Sequence, residues 1–235
     1  MTDKSQLRDA ATIVLVRDEA TRPRILMGQR GATAAFLPNK FVFPGGAVDA
    51  VDGTVKLARP LAAHTHAALC RESTCAPEAL AAASLRELWE ETGLILGDAQ
   101  AWRGDPPQGW RGFAAAGFVP SGAELSYFFR AVTPLGRPRR FDARFFLARA
   151  EALVTDPDDF SRAEDELNHL QWIPLDAARE FDLPFITEVV LAELAGRIAG
   201  TVPPDDVPFF RNDDETHLVT RLGGRRPLDP GVGPD

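Results

Sequence analysis

The residues whose types and spacing best suit chemistry are Glu87, Glu90 and Glu91, within Arg86-Glu-Leu-Trp-Glu-Glu-Thr-Gly-Leu94. On a helix turning roughly 100° per residue, Glu91 lies about 40° to one side of Glu87 and Glu90 about 60° to the other. All three carboxylates then share one face, while Leu85, Leu88 and Trp89 form the opposite, apolar one. Three crowded carboxylates repel one another, so at least one would keep its proton at neutral pH. A hard divalent cation removes that penalty, and Mg²⁺ or Mn²⁺ prefers oxygen ligands while retaining waters. Such an ion can bridge phosphate oxygens and lower the pKa of a bound water. Arg86 could orient a glutamate or pair with a phosphate. The same spacing also describes a solvated acidic stripe making surface ion pairs, so the surroundings of the helix must decide.

Those surroundings begin with the helix itself. Pro77 fits a first helical position, Glu78 favours the positive end of the helix dipole, no breaker interrupts the run to Thr92, and Gly93 is a natural stop. A second helix is expected from Phe185 to Ile198 behind Pro184, with Ile186, Val189, Val190 and Leu194 at helical spacing. Ala11–Val16, Arg24–Arg30, Phe41–Phe43, Leu125–Val132, Arg144–Arg149 and Leu167–Ile173 read as strands, and Gly45-Gly46 behind Pro44 as a tight backbone path. Strands alternating with a few helices indicate an α/β (or α+β) layered domain. It is expected over residues 1–200, with 201–235 a Pro-, Gly- and Asp-rich tail lying on the domain and ending in disorder.

The 235 residues carry a formal net charge of −8, which argues against a binder of nucleic-acid polymers but leaves room for a small anionic ligand beside cations or local arginines. Two cysteines, Cys70 and Cys75, imply no disulfide framework. The first apolar run, Ala10 to Val16, is too short for a membrane span or a signal-peptide core, so the expected setting is cytoplasmic, with no membrane partner.

Phe43-Pro-Gly-Gly46, then Asp49 and Asp52, then Arg86 to Leu94 resembles the Nudix box. That box runs glycine, five residues, glutamate, seven residues, then Arg-Glu-aliphatic-any-Glu-Glu-any-Gly-aliphatic. Gly46 matches the opening glycine, the second half matches at every specified position, and Leu170-Gln-Trp-Ile-Pro-Leu175 resembles the family's closing strand and turn. Two departures stand out. Asp52 replaces the first glutamate, and 33 residues, Gly53 to Leu85, separate it from Arg86 where the pattern has seven. A helical or loop insertion, about 53–76, can bulge out because loop-closure entropy grows slowly with length. The split box, with Phe36-Leu-Pro38 before it and Arg140-Phe-Asp-Ala-Arg-Phe-Phe146 after it, resembles the branch of peroxisomal coenzyme A diphosphatase-like proteins.

The resemblance implies an α/β/α sandwich around a mixed sheet and hydrolysis of a nucleoside diphosphate linked to another moiety, with coenzyme A or its thioesters the best single substrate. It also implies Mg²⁺ or Mn²⁺ held by Glu87 and Glu91, with Glu90 as a further ligand or water contact and Glu87 doubling as base. Carbonyls of Gly45 or Gly46 would approach the cation, and Glu166, with Glu164 close behind, would complete the site unless both are solvated loop charges. A homodimer fits the family's habits. The other readings are an ADP-ribose- or NADH-type pyrophosphatase, a non-catalytic nucleotide sensor on the same fold, and an isoprenoid diphosphate isomerase.

Other residues carry weaker signals. His64, His66, Cys70 and Cys75 form a zinc-ligand set by type, though their spacings match no standard finger and loop or core roles suffice. Arg137, Arg139, Arg140 and Arg144 concentrate positive charge, and Arg140 and Arg144 are candidate substrate-binding residues; solubilising a strand edge is the alternative. Trp102, Trp110 and Phe113 could stack on a base or fill the core.

Overall fold

The computed structural model describes residues 6–34, 36–137, 139–203, 206–211 and 219–221. In chain order it contains β1 (Leu7–Arg17), β2 (Arg24–Arg30), β3 (Phe41–Val42), β4 (Gly45–Ala47), α1 (Ala63–Cys70), α2 (Pro77–Thr92), β5 (Gly97–Ala99), α3 (Arg111–Ala115), β6 (Phe118–Pro120), β7 (Ser126–Val132), β8 (Arg140–Arg149), β9 (Leu167–Pro174), α4 (Phe185–Ile198), β10 (Pro208–Phe210) and β11 (Val219–Arg221). The large sheet runs β11-β10-β7-β8-β1-β2-β3, with β4 joined to β1 and β9 to β2. It is mixed: β1 pairs parallel with β8, while β7 and β8, and β1 and β2, pair antiparallel.

Alternation along β1 fixes the layers. Ala11, Ile13 and Leu15 face a core that includes Leu80, Leu85 and Leu88 of α2, whereas Val14 faces a second core that includes Val190, Leu191 and Leu194 of α4. Leu26 of β2 joins the first core, and Ile25 and Met27 the second. The sheet is therefore covered on both faces by helices, the expected α/β/α sandwich. In β7 a register shift between Tyr127 and Phe129 breaks the alternation, and Phe128 and Phe129 both reach the α4 side.

α2 spans the residues its sequence pattern marks: Pro77 opens it, and Gly93, at φ 75°, closes it with its N–H donating to the Trp89 carbonyl. It is buried more completely than an amphipathic pattern requires, since every residue from Ala79 to Arg86 is buried. The segment before it explains this. Val55, Leu61 and Leu69 enter the same core, Ala58 and Arg59 bond to the backbone at Pro120 and Gly122, and Arg59 forks onto Asp98 at 2.9 Å. The insertion is thus a docked element carrying α1, not a free loop.

Two differences from the sequence reading concern strands. Gly45-Gly46, read as a tight backbone path and not as a strand, belongs to β4, pairing Gly45 with Thr12 and Gly46 with Ala11. A Cβ on Gly45 would come within 2.7 Å of the Ala11 carbonyl and of Thr12, so only glycine lets the strands approach this closely. Val207 to Phe210, read as part of the tail, supplies β10, which pairs parallel with β7. The disorder expected toward residue 235 concerns residues 222–235, which lie outside the described residues. Among the described residues no helix is long and apolar enough to cross a membrane.

Candidate active site

The carboxylate face of α2 lies against β4. The Gly45 N–H donates to Glu91 Oε2 at 2.8 Å, and a Cβ on Gly46 would fall within 2.7 Å of all three carboxylate-group atoms of Glu87. Glu91 is 2% exposed, and its Oε1 is buried without a hydrogen-bond partner. Leaving such an atom unmatched is costly, and an oxygen-seeking cation would satisfy it.

Arg86 organises the rest. Its Nε and one terminal nitrogen fork onto Asp52 at 2.9 and 3.0 Å, and the same terminal nitrogen also donates to the Ala47 carbonyl at 3.0 Å. The other terminal nitrogen donates to Glu87 Oε1 and Glu90 Oε2, each at 2.8 Å. Of the two roles open to Arg86 in the sequence, the structure gives it the orienting one, because its donors are spent on protein acceptors. Burial works against its charge, but the Asp52 hydrogen bonds and Glu87 hold its proton more firmly than usual.

Asp52, wholly buried, is the counterpart of that fork and also accepts the Asp49 N–H at 2.9 Å. Its part as a clamp on Arg86 is what the sequence reading missed. The only signal was a carboxylate standing where the resembled box has one. The clamp ties the two halves of the split motif across the insertion.

Burial sets the protonation of the glutamates. Glu87 is pushed up to about 7 by burial, partly countered by Arg86 and reinforced by Glu90. Glu91 is driven well above the usual range by burial and by the neighbouring Glu87, against the Gly45 N–H; burial also raises Glu90. Groups raised in this way fit a divalent cation, whose charge would remove the repulsion. Among the described residues no three His, Cys, Asp or Glu side chains already close around one point, since Glu87 and Glu90 each turn an oxygen to Arg86. The orphaned oxygen of Glu91 and the glycine cradle under Glu87 weigh more than that lack of closure, because they lie on the same strand edge.

The remaining candidates divide. Glu166 pairs with Arg30 at 2.8 Å and is near enough that its charge raises both Glu87 and Glu91. Glu164 approaches by its backbone, donating its N–H to the Glu90 carbonyl at 2.9 Å. Arg144 is not available to a substrate. It is 1% exposed, and its guanidinium reaches Asp9 at 2.5 Å, the Asp142 carbonyl at 2.8 Å and Ser73 at 2.9 Å. Arg140 donates to the Thr133 carbonyl at 3.2 Å and, among the described residues, makes no hydrogen bond or ion pair with the glutamates. Trp110 and Phe113 are fully buried, and Trp102 packs against the same core, which makes them core residues and not a stacking platform. His66 stands 3.8 Å from Cys70 Sγ and 3.2 Å from Glu78, and no zinc set including Cys75 gathers among the described residues.

The NUDIX domain model matches residues 6–194. The chain is 29% identical over 181 residues to a Caenorhabditis elegans protein named nudix hydrolase 7, covering 72% of this chain and 52% of that protein. It therefore spans about half the length of that relative. The crystal structure of a NUDIX hydrolase from Alicyclobacillus acidocaldarius is similar at 30% identity and a TM-score of 0.62, covering 84% of this chain and 97% of that one.

Proposed function

The chain belongs to the NUDIX domain family, and from that premise we propose that it is a hydrolase of the diphosphate linkage in a nucleoside diphosphate joined to another moiety. Glu87 and Glu91, with Glu90 and the carbonyls of Gly45 or Gly46, would hold Mg²⁺ or Mn²⁺, and Glu166 is the candidate to complete the set. When bound, the cation supplies charge neutralisation on the phosphate oxygens and a more acidic water. Water adds to one phosphorus, the bridging P–O bond breaks, and each product leaves with its own phosphate. Glu87, held beside Gly46 with one oxygen turned to Arg86 at 2.8 Å, is the base that takes the proton of that water. Arg86 fixes Glu87 and Glu90 and is itself fixed by Asp52, so both are positioning residues.

The observation that carries this reading is the buried, unpartnered Oε1 of Glu91, whose other oxygen is anchored by the Gly45 N–H. The preferred substrate is coenzyme A or an acyl-coenzyme A, supported by likeness of the split box to that branch. A cytoplasmic setting and a homodimer belong to the same reading. The test is turnover of coenzyme A, acyl-coenzyme A, ADP-ribose, NADH and nucleoside diphosphate sugars, with and without Mg²⁺ or Mn²⁺, with both products identified by mass. Glu87→Gln and Glu91→Gln should each lower kcat by about a hundredfold or more. Undiminished turnover in both would overturn the assignment.

A further inference from the structure

Beside the glutamate site lies a cleft of about 320 Å³ lined by Trp89, Glu90, Gly109, Arg111, Gly112, Arg162 and Glu164. Its two arginines come from separate segments, Arg111 at the start of α3 and Arg162 from the loop before β9. Both are exposed, and among the described residues neither guanidinium forms a hydrogen bond or an ion pair. Asp159 is lowered chiefly by hydrogen bonds from Ser161, and Arg162 adds to that only through space. Most other arginines of the described chain are committed to carboxylates or carbonyls, as at Arg86, Arg130 and Arg144.

The walls are shaped for close approach. A Cβ on Gly109 would press on Arg86 Cδ and Glu90 Oε1 at 3.1 Å, and one on Gly112 would press on the Trp89 ring at 3.1 Å. Arg162 is anchored because its Cβ packs where Gly93 has no side chain, and Glu164 is tied to the Glu90 carbonyl. Two carboxylates also line the cleft. Glu90 is already paired with Arg86, which leaves Glu164 alone against two uncommitted cations. Guanidinium groups in pairs match the oxygens of a phosphate through charge-assisted, often bidentate hydrogen bonds.

We propose that Arg111 and Arg162 form a subsite for a phosphomonoester on the substrate, separate from the diphosphate that is cut. This rests on the hydrolase reading and narrows it, since the favoured substrates are then nucleoside diphosphate derivatives carrying one further phosphate. The subsite is contiguous with the cutting site because Glu90 belongs to both, so one extended molecule can occupy the two together.

The experiment compares kcat/KM for coenzyme A against dephospho-coenzyme A, and for NADPH against NADH, in the wild type, Arg111→Ala, Arg162→Ala and the double variant. Arg22→Ala, which removes an exposed arginine paired with Asp176, is the charge control. The wild type should prefer the phosphorylated member of at least one pair by about tenfold or more, and the double variant should bring that ratio to about one. The Arg22→Ala ratio should stay at the wild-type value. A wild-type ratio near one for both pairs, or a ratio that survives the double substitution, overturns the subsite. Calorimetric binding of adenosine 3′,5′-bisphosphate against AMP separates this failure from failure of the parent reading. If no pair is cut and ADP-ribose and nucleoside diphosphate sugars are also left intact, the hydrolase reading falls, while tighter binding of the bisphosphate that is lost in the double variant still upholds the subsite. Equal binding of the two nucleotides overturns it.

Discussion

At the scale of single residues, the site holds carboxylates in surroundings that disfavour their charge. A glutamate whose folded pKa exceeds its unfolded value binds its proton more tightly when folded. Its contribution to stability is therefore fullest below about 4.5 and is lost as pH rises, for Glu87 through about 7. Glu91, more deeply buried, shifts in the same direction. Glu91→Gln should thus raise Tm at pH 8 in a chelator, by about 2–6 °C for a gain near 1–2 kcal/mol, while removing turnover. The gain should shrink toward pH 5. Mg²⁺ or Mn²⁺ should raise the wild-type Tm at pH 8 and leave that of Glu91→Gln nearly unchanged. Thermal melts across pH, with and without the ion, read all three effects. Asp52 is instead buried in a two-bond fork with Arg86. Asp52→Asn removes half of that fork and should cost about 3–5 kcal/mol in urea denaturation. It should also lower kcat more than it raises KM, because Glu87 and Glu90 lose the fork that aligns them.

At the scale of elements, the split in the motif is bridged by docking and not by looseness. The insertion offers the Glu72 carbonyl to Arg130 at 2.9 Å and Ser73 to Arg144 at 2.9 Å, and both arginines also engage Asp142 of β8. Arg130→Met should therefore cost about 2–3 kcal/mol, less than a fully orphaned charge because Arg144 still faces Asp142 at 3.2 Å. Urea midpoints at constant slope would measure it. These contacts also mark where sequence reading reached its limit. α2 and α4 were legible because proline, glycine and apolar spacing bound them, and β1 because it is a β-branched apolar run bounded by charged residues. β4 was not, since Gly45-Gly46 carries no side chains to show a period. Arg144 read as a candidate substrate-binding residue or a strand-edge cation, because a charged residue between Phe141 and Phe145 gives no sign of which acids will meet it. Asp52 was visible as a carboxylate, but its partner lay 34 residues on, in a contact that only folding creates. Of the glutamates, the common face followed from helical spacing, whereas the anchoring of Glu91 by a backbone N–H had no sequence signal.

At the scale of the whole molecule, the sheet is completed by residues beyond the second long helix. Val207 lies in the core under α2, while Phe210 lies in the core under α4, so one short segment closes both layers. Phe209 is held between Arg130 and Arg211, whose guanidinium carbons stand 4.1 and 4.4 Å from its ring centroid. Ending the chain after Pro203 would expose the edge of β7 and remove three buried side chains, Val207 and Phe210 from the cores and Phe209 from between the two arginines. At about 1.5–3 kcal/mol for each large apolar side chain, the loss is about 5 kcal/mol or more, comparable with the whole stability of many domains. The truncated chain should consequently melt well below the full chain, or collect in aggregates through the uncovered strand edge. Replacing Val207, Phe209 and Phe210 by alanine in the full chain should reproduce most of the lost Tm. If the shortened chain instead melts with the full one, β10 is an ornament on the sheet and the cores close without it. The glutamate site lies on the far side of β8 and β1 from β10, so any loss of turnover should follow the unfolded fraction across temperature and not precede it.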